Sequence, residues 1–124
     1  MKLFSEDHQW VEIENGVATI GITAYAAEEL GEITFVELPD KGLVVNQGDM
    51  LCVVESVKAA SDVFAPLGGT VTEVNRKLEK SVAHINSSPE RLGWICRLEE
   101  VDESEMDSLM TEAQYDGYTE TSEG

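Results

Sequence analysis

The sequence between Val53 and Phe64, VVESVKAASDVF, places one lysine, Lys58, between two runs of strand-forming residues. The gap leaves room only for a tight turn, so the stretch predicts a β-hairpin with Lys58 at its tip. A lysine at such a tip is solvated and is a poor nucleophile, which argues against Schiff-base catalysis. The same exposure suits the attachment of a swinging group. An ordinary surface lysine in a loop remains the alternative, because Val57 and Lys58 lack the Gly or Asn that two-residue turns prefer.

Short strands with Gly and Pro between them continue to both sides of this hairpin. The strand-like segments are Trp10–Glu14, Val17–Ile22, Ile33–Leu38, Met50–Ser56, Asp62–Ala65, Thr70–Val74 and Gly93–Leu98. Thr23 and Gly31 are the N-cap and C′ types that predict a short helix near residues 24–30. The pattern as a whole predicts a mostly β fold, a sandwich or a barrel.

The C-terminal part of the chain has a different periodicity. Asp102 followed by Glu105 resembles a capping box. Apolar residues follow at helical spacing, namely Met106, Leu109, Met110 and Ala113. They predict a helix near residues 103–114 whose apolar stripe covers the sandwich. The polar residues after Gly117 predict a single domain over residues 1–118 and a frayed acidic tail over 119–124.

Length and charge exclude several classes of function. The chain has 124 residues, enough for one domain, and a net charge of −17 from 25 acidic and 8 basic residues. That charge argues against nucleic-acid binding and against attraction to anionic membranes. Residues 41–98 are nearly neutral at +1, whereas residues 99–124 carry ten acids and no base. The N-terminus has no signal or transit pattern, so we expect a cytoplasmic protein.

The residues of the common catalytic sites are missing from the sequence. It contains no GxSxG, Walker A, GxGxxG or HExxH motif, and its only histidines are His8 and His84. No Cys/His spacing predicts a metal site. Cys52 and Cys96 lie among apolar residues, which favours buried thiols over a disulfide. An enzyme with its own active site is therefore the least favoured function.

One family accounts for these features together. The segment Glu55–Asp62 resembles the lipoylation motif of the H protein of the glycine cleavage system. Further segments match that family in order: His8–Val11, Gly21–Thr23, Tyr25–Ala26, Leu30–Gly31, Phe35–Pro39, Gly69, Glu73–Asn75, Asn86, Pro89, Gly93–Trp94 and Tyr115. The resemblance covers about residues 4–118. A biotinyl domain is less similar, because such domains have Ala-Met-Lys-Met where this chain has Ser56-Val57-Lys58-Ala59.

The resemblance implies a lipoyl/biotinyl-type barrel-sandwich hybrid of two small sheets, with lipoate attached to Lys58 between Glu55 and Asp62. It implies a carrier that receives an aminomethyl group from glycine decarboxylase (P protein) and passes it to aminomethyltransferase (T protein). Dihydrolipoamide dehydrogenase (L protein) would reoxidise the arm, and lipoate-attaching enzymes would load Lys58. The implied location is the bacterial cytoplasm, or the mitochondrial matrix if a presequence has been removed.

The resemblance also implies that the loaded arm folds back onto the carrier. We expect it to dock near Asp62, the N-terminal stretch from Asp7 to Gln9 and the segment of Ile22 and Thr23. The chain departs from the family at two positions here, with Gln9 in place of the usual Glu and Ala24 in place of the usual Asp. These departures leave open an H-like protein that serves as a lipoyl donor or a stress-linked scaffold.

Overall fold

Two antiparallel sheets form the body of the protein in the computed structural model, which describes residues 2–122. The strands are β1 (Lys2–Phe4), β2 (Gln9–Glu14), β3 (Val17–Ile22), β4 (Ile33–Glu37), β5 (Val44–Val45), β6 (Met50–Ser56), β7 (Ala60–Phe64), β8 (Gly69–Val74) and β9 (Cys96–Glu99). One sheet has the order β1-β2-β3-β9-β8-β5 and the other β4-β6-β7. The sheets do not close into a barrel, and the prediction of a mostly β sandwich hybrid is confirmed.

The core lies between the two sheets. The inward-facing apolar side chains of both sheets form this core. Fully buried examples are Val11, Ile20, Val54 and Leu98. Cys52 and Cys96 are free and buried in the same core, as the sequence predicts. A second, smaller cluster of Phe4, Trp10 and Tyr115 is buried where the C-terminal helix packs against the start of the larger sheet.

The hairpin of β6 and β7 forms with Lys58 in its turn. Val54 pairs with Ser61 in the antiparallel register, and the pairing continues toward the tip. The turn contains no glycine. Instead, the hydroxyl of Ser56 accepts hydrogen bonds from the backbone N–H groups of Lys58 (3.1 Å) and Ala59 (3.2 Å). The Ser56 side chain thus stabilises a turn that lacks the glycine or asparagine usual in two-residue hairpins.

Helices cover the ends of the sandwich. They are α1 (Ala24–Leu30), α2 (Lys77–Lys80), α3 (Ala83–Ser87), a 3-10 helix (Glu103–Ser108) and α4 (Glu112–Ser122). The α1 helix forms where the sequence predicts it. The Thr23 hydroxyl accepts from the Ala26 N–H at 3.2 Å, and Gly31 ends the helix with a φ of 79°.

The predicted C-terminal helix near residues 103–114 is wrong in its bounds. The backbone of Met110 exchanges two 2.8 Å hydrogen bonds with Phe4, and this bridge separates the 3-10 helix from α4. Asp102 is the N-cap of the 3-10 helix, since its carboxylate accepts from the Ser104 N–H at 3.0 Å. The Glu105 carboxylate accepts from the Gly68 N–H at 2.8 Å, outside the helix.

The predicted apolar stripe is therefore divided among different segments. Met106 and Leu109 do pack against the main core, but Ala113 is exposed. The α4 helix continues to Ser122, past the expected start of the tail at residue 119, and the fraying of that tail stays a prediction. Residues 123 and 124 of the expected tail lie outside the described residues. In residues 2–122, no helix is long and apolar enough to cross a membrane.

Candidate functional site

Lys58 is exposed at the tip of the β6–β7 hairpin and leans toward the end of α1. Its Nζ donates to the carbonyl oxygen of Glu29 at 3.2 Å. That carbonyl belongs to the last turn of α1, where the helix dipole favours a cation. Gly31 leaves the space for this contact, because a Cβ there would lie 3.1 Å from the Lys58 Cε. The amine is thus accessible but has a defined resting position.

Hydrogen bonds hold the hairpin tip against the segment that follows α1. The Val57 N–H donates to the Glu32 carbonyl at 3.0 Å, which ties the turn to the segment after α1. Asn86 in α3 braces that segment from the other side. Its amide oxygen accepts from the Ile33 N–H at 2.8 Å, and its amide nitrogen donates to the Gly31 carbonyl at 2.8 Å. Backbone hydrogen bonds on both sides therefore fix where the lysine projects.

A cleft of about 240 Å³ lies beside the lysine. Its lining residues are Asp7, His8, Tyr25, Ala26, Glu29, Leu30 and Ser61. The residue whose carbonyl holds the Lys58 amine, Glu29, is therefore also part of the cleft wall. The lining combines two carboxylates, an imidazole and a phenol with the apolar side chain of Leu30. Such a site suits a ligand with an apolar body and a cationic end.

A hydrogen-bond chain fixes the imidazole in this wall. The Tyr115 hydroxyl lies 2.6 Å from the His8 Nδ1 and 2.7 Å from the Thr23 hydroxyl oxygen. His8 itself has a φ of 70°, and its carbonyl accepts from the Thr23 N–H at 3.0 Å. Burial lowers the pKa of His8, although the charges of Asp7 and Glu29 oppose the effect. The wall therefore presents a neutral imidazole near pH 7.

Burial raises the pKa of Tyr115, whereas it lowers that of His8. It raises the pKa of the phenol to about 12, while the hydrogen bond between the Tyr115 and Thr23 hydroxyls opposes that rise. The phenol stays protonated at neutral pH, so it donates to one of its two neighbours and accepts from the other. Because Tyr115 lies on α4, the C-terminal helix is part of the support of the cleft.

The residues expected to dock the arm are only partly brought together. Asp7 lines the cleft. Gln9 is 2% exposed, and its side chain accepts from the Ser5 hydroxyl at 2.6 Å and donates to the Asp7 carbonyl at 2.9 Å. Ile22 and Thr23 are buried beneath the cleft and are not among its lining residues. Gln9 thus shapes the loop that carries Asp7.

The carboxylates that flank Lys58 lie on the other face of the hairpin. Asp62 pairs with Val53 and is exposed, whereas its neighbour Ser61 pairs with the buried Val54 and lines the cleft. Glu55 is likewise exposed and does not line the cleft. Successive strand residues point to opposite faces. Asp62 is therefore close to the tip in sequence but faces away from the cleft.

The sequence did not identify Tyr25, Glu29 or Ser61 as wall residues, and it indicated His8 only as part of the stretch from Asp7 to Gln9. For two of them a signal exists, because Tyr25 and Glu29 are four residues apart on α1 and so share one face. His8 and Ser61 carry no such signal. Their placement follows from the positive φ at His8 and from the register of β6 with β7.

Comparison with known proteins identifies the family of this chain. The sequence matches the glycine cleavage H-protein family over residues 2–122. A glycine cleavage system H protein of Phenylobacterium zucineum is 49% identical over 119 residues, which are 96% of this chain and 98% of that protein. One of Thermotoga maritima is 46% identical over 115 residues, 93% of each chain. The crystal structure of a glycine cleavage system H protein from Mycobacterium marinum has a TM-score of 0.85 at 33% identity and covers 95% of both chains. The chain therefore belongs to the glycine cleavage H-protein family, a family of carriers rather than enzymes.

Proposed function

We propose that Lys58 is the residue to which lipoate is attached, through an amide bond to its Nζ. The observation that carries this proposal is the position of the amine, exposed at the tip of a braced hairpin and next to a cleft. The space left by Gly31 lets the side chain leave or enter that position without a clash. An attaching enzyme needs an accessible amine, and a swinging arm needs a rigid base.

The carrier would serve the three enzymes of glycine cleavage in turn. It would accept the aminomethyl group from glycine decarboxylase, pass it to aminomethyltransferase and be reoxidised by dihydrolipoamide dehydrogenase. When bound, lipoate supplies the sulfur that carries the aminomethyl group and the dithiol that is reoxidised. The protein supplies a fixed attachment point, a cleft beside it and a strongly negative surface that steers its partners. We place this exchange in the cytoplasm, as the bacterial relatives suggest.

We also propose that the cleft holds the loaded arm between enzymes. Asp7 and Glu29 would attract a protonated amine. The Nε2 of neutral His8 would accept a hydrogen bond from that amine in the tautomer whose Nδ1–H donates to the Tyr115 hydroxyl. Both carboxylates are exposed, so each contributes only about 0.2–1 kcal/mol. Docking would exclude water from the arm and lengthen the lifetime of the aminomethyl group.

A labelling experiment tests the attachment site. The wild-type chain and the Lys58→Arg variant are incubated with a lipoate-attaching enzyme, and the products are mapped by mass spectrometry. Arginine keeps the positive charge but lacks the primary amine. We expect lipoate on the wild type and none on the variant. Lys41→Arg is the matched control and should be lipoylated fully. Full lipoylation of the Lys58→Arg variant would refute the assignment.

The decay of the loaded carrier tests the cleft. We expect Asp7→Asn and Glu29→Gln to shorten the lifetime of the isolated aminomethylated protein by about two- to fivefold. Glu28→Gln is the control, since Glu28 is the exposed neighbour on α1 and does not line the cleft. Because Asp62 faces outward, Asp62→Asn should decay like the wild type. If every variant decays like loaded free lipoamide, the cleft gives no protection and this part of the proposal fails.

A further inference from the structure

A second cavity, of about 510 Å³, lies away from Lys58, among the end of β8, α2, α3 and the loop before β9. Three basic side chains line it, those of Arg76, Lys77 and Arg97, against one acidic side chain, that of Glu73. With histidine neutral, three positive charges and one negative charge give its lining a net charge of +2. This balance is unusual in a chain of net charge −17. The cleft beside Lys58, for comparison, has two acids and no Lys or Arg in its lining.

One of the three bases is held rigidly. The Arg97 guanidinium lies 4.1 Å above the Trp94 ring, donates to the Glu73 carboxylate at 2.8 Å and donates to the Thr19 hydroxyl at 3.2 Å. A guanidinium fixed by stacking and hydrogen bonds loses little freedom when it binds a ligand. The Trp94 indole, which also lines the cavity, adds an aromatic surface next to this positive charge.

Other residues of the lining have polar or apolar groups that form weak contacts or none within the described part of the chain. The Arg76 side chain is 68% exposed, and its 3.1 Å ion pair with Glu79 is therefore weak. The His84 ring lines the cavity, and its Nδ1 is buried without a hydrogen-bond partner among the residues that the structure describes. Leu92 is 61% exposed at the same cavity. The unpartnered buried nitrogen is unfavourable in the free protein, and the exposed leucine adds apolar surface at the cavity.

We propose that this cavity binds a small molecule that carries a phosphate or carboxylate group on an aromatic or apolar body. The anionic group lies between Lys77, Arg76 and the fixed Arg97, and the apolar body packs on Trp94 and Leu92. The volume falls in the range of ordinary ligand pockets, roughly 300–1,000 Å³. Basic groups and an apolar surface at one place match a ligand with both properties.

The charge distribution favours a small anion over an acidic protein segment. At physiological salt, charges act over about 8 Å, so a small ligand in the cavity experiences chiefly the three bases together with their acidic partners Glu73 and Glu79, a local sum that remains positive. An acidic partner would also approach the rest of a surface that carries 25 acidic residues. Like charges placed face to face across a protein interface are strongly unfavourable. The site requires no lipoate, and Lys58 is not part of it.

The test uses the full, unlipoylated chain labelled with ¹⁵N and the probe phenyl phosphate. NMR titration at about 0.15 M salt follows the side-chain N–H signals of Trp94 and Arg97, with the Trp10 indole as an internal reference. We expect saturable shifts at Trp94 and Arg97 with millimolar affinity and little change at Trp10. Inorganic phosphate should bind more weakly than phenyl phosphate, and benzyl alcohol should bind more weakly still.

Two variants link the binding to the cavity. Lys77→Ala should weaken phenyl phosphate binding roughly three- to tenfold, because it removes one charge close to the anion. Lys80→Ala is the matched control, since Lys80 lies on the same short helix but does not line the cavity, and its affinity should equal that of the wild type. Equal losses in the two variants would refute the site, as would the absence of saturable shifts. If a glutamate-rich peptide binds and phenyl phosphate does not, the cavity is a protein-docking surface and the proposal is wrong.

Discussion

The Tyr115 hydroxyl connects α4 to the wall of the cleft, and its removal gives a quantitative test of the structure. Tyr115→Phe keeps the ring, which is 5% exposed and stacks on Phe4 at 4.8 Å. It removes the 2.6 Å contact with His8 and the 2.7 Å contact with Thr23. Thr23 is fully buried, although its hydroxyl oxygen still accepts from the Ala26 N–H. The variant therefore leaves the Thr23 hydroxyl and the His8 Nδ1 without their partner.

Leaving these two polar groups unpaired should lower the free energy of unfolding of the Tyr115→Phe variant by about 1–3 kcal/mol. For a domain of this size that corresponds to a fall in Tm of roughly 3–10 °C. Urea unfolding followed by circular dichroism measures the loss directly. Tyr118→Phe is the matched control, because it is the same change on the same helix at an exposed 3.2 Å bond to the Glu6 carbonyl. We expect that variant to lose less than about 1 kcal/mol. Equal and small losses in both variants would show that the hydrogen-bond chain does not stabilise the fold.

Three further predictions concern the pH dependence of stability, the packing of Leu109 on the core and the reactivity of the two thiols. Burial lowers the pKa of His8 in the folded state, so the unfolded chain binds the proton more tightly. The free energy of unfolding should therefore fall as the pH drops through about 6.5. Urea midpoints measured between pH 8 and 5 should fall less steeply in the His8→Asn variant, and asparagine is chosen because it tolerates the positive φ at this position. Leu109→Asp should destabilise the protein by about 1–2 kcal/mol because Leu109 packs on the core, whereas Ala113→Asp, at an exposed position, should leave the Tm nearly unchanged. Burial raises the pKa of Cys52 to about 12 and raises that of Cys96 as well, so iodoacetamide at pH 8 should label neither thiol until urea unfolds the chain.

The hairpin that carries Lys58 could be predicted because its signal is local. Two apolar runs separated by a short gap predict two paired strands whatever the rest of the chain does. The short helix α1 is predictable for the same reason, since Thr23 and Gly31 mark its two ends within eight residues. In both cases the residues that decide the structure are neighbours in the sequence.

The C-terminal segment could not be predicted from local pattern alone. The helical spacing from Met106 to Ala113 is interrupted by a backbone bridge between Met110 and Phe4, which are more than 100 residues apart. Such a long-range contact leaves no periodic signal in the sequence. It also displaces α4 toward the C-terminus and brings Tyr115 against the cleft wall.

The cleft was predicted only in part, because its walls depend on strand faces. Asp7 was identified, but Asp62 was expected at the cleft from its distance along the chain to Lys58. The pairing of Asp62 with Val53 directs it to the outer face and leaves Ser61 at the cleft. A shift of one residue in the pairing of two strands moves each side chain to the opposite face of the sheet, and the local sequence does not specify the register that precisely.

We propose that Lys58 carries the aminomethyl group on its lipoyl arm, and transfer from glycine tests this role directly. Lipoylated protein is incubated with glycine and glycine decarboxylase, and intact mass is recorded with and without glycine. We expect a further mass gain that requires both glycine and the decarboxylase and maps to modified Lys58. A lipoylated chain that gains no mass under these conditions, or that gains it at a different residue, would refute the carrier role of Lys58.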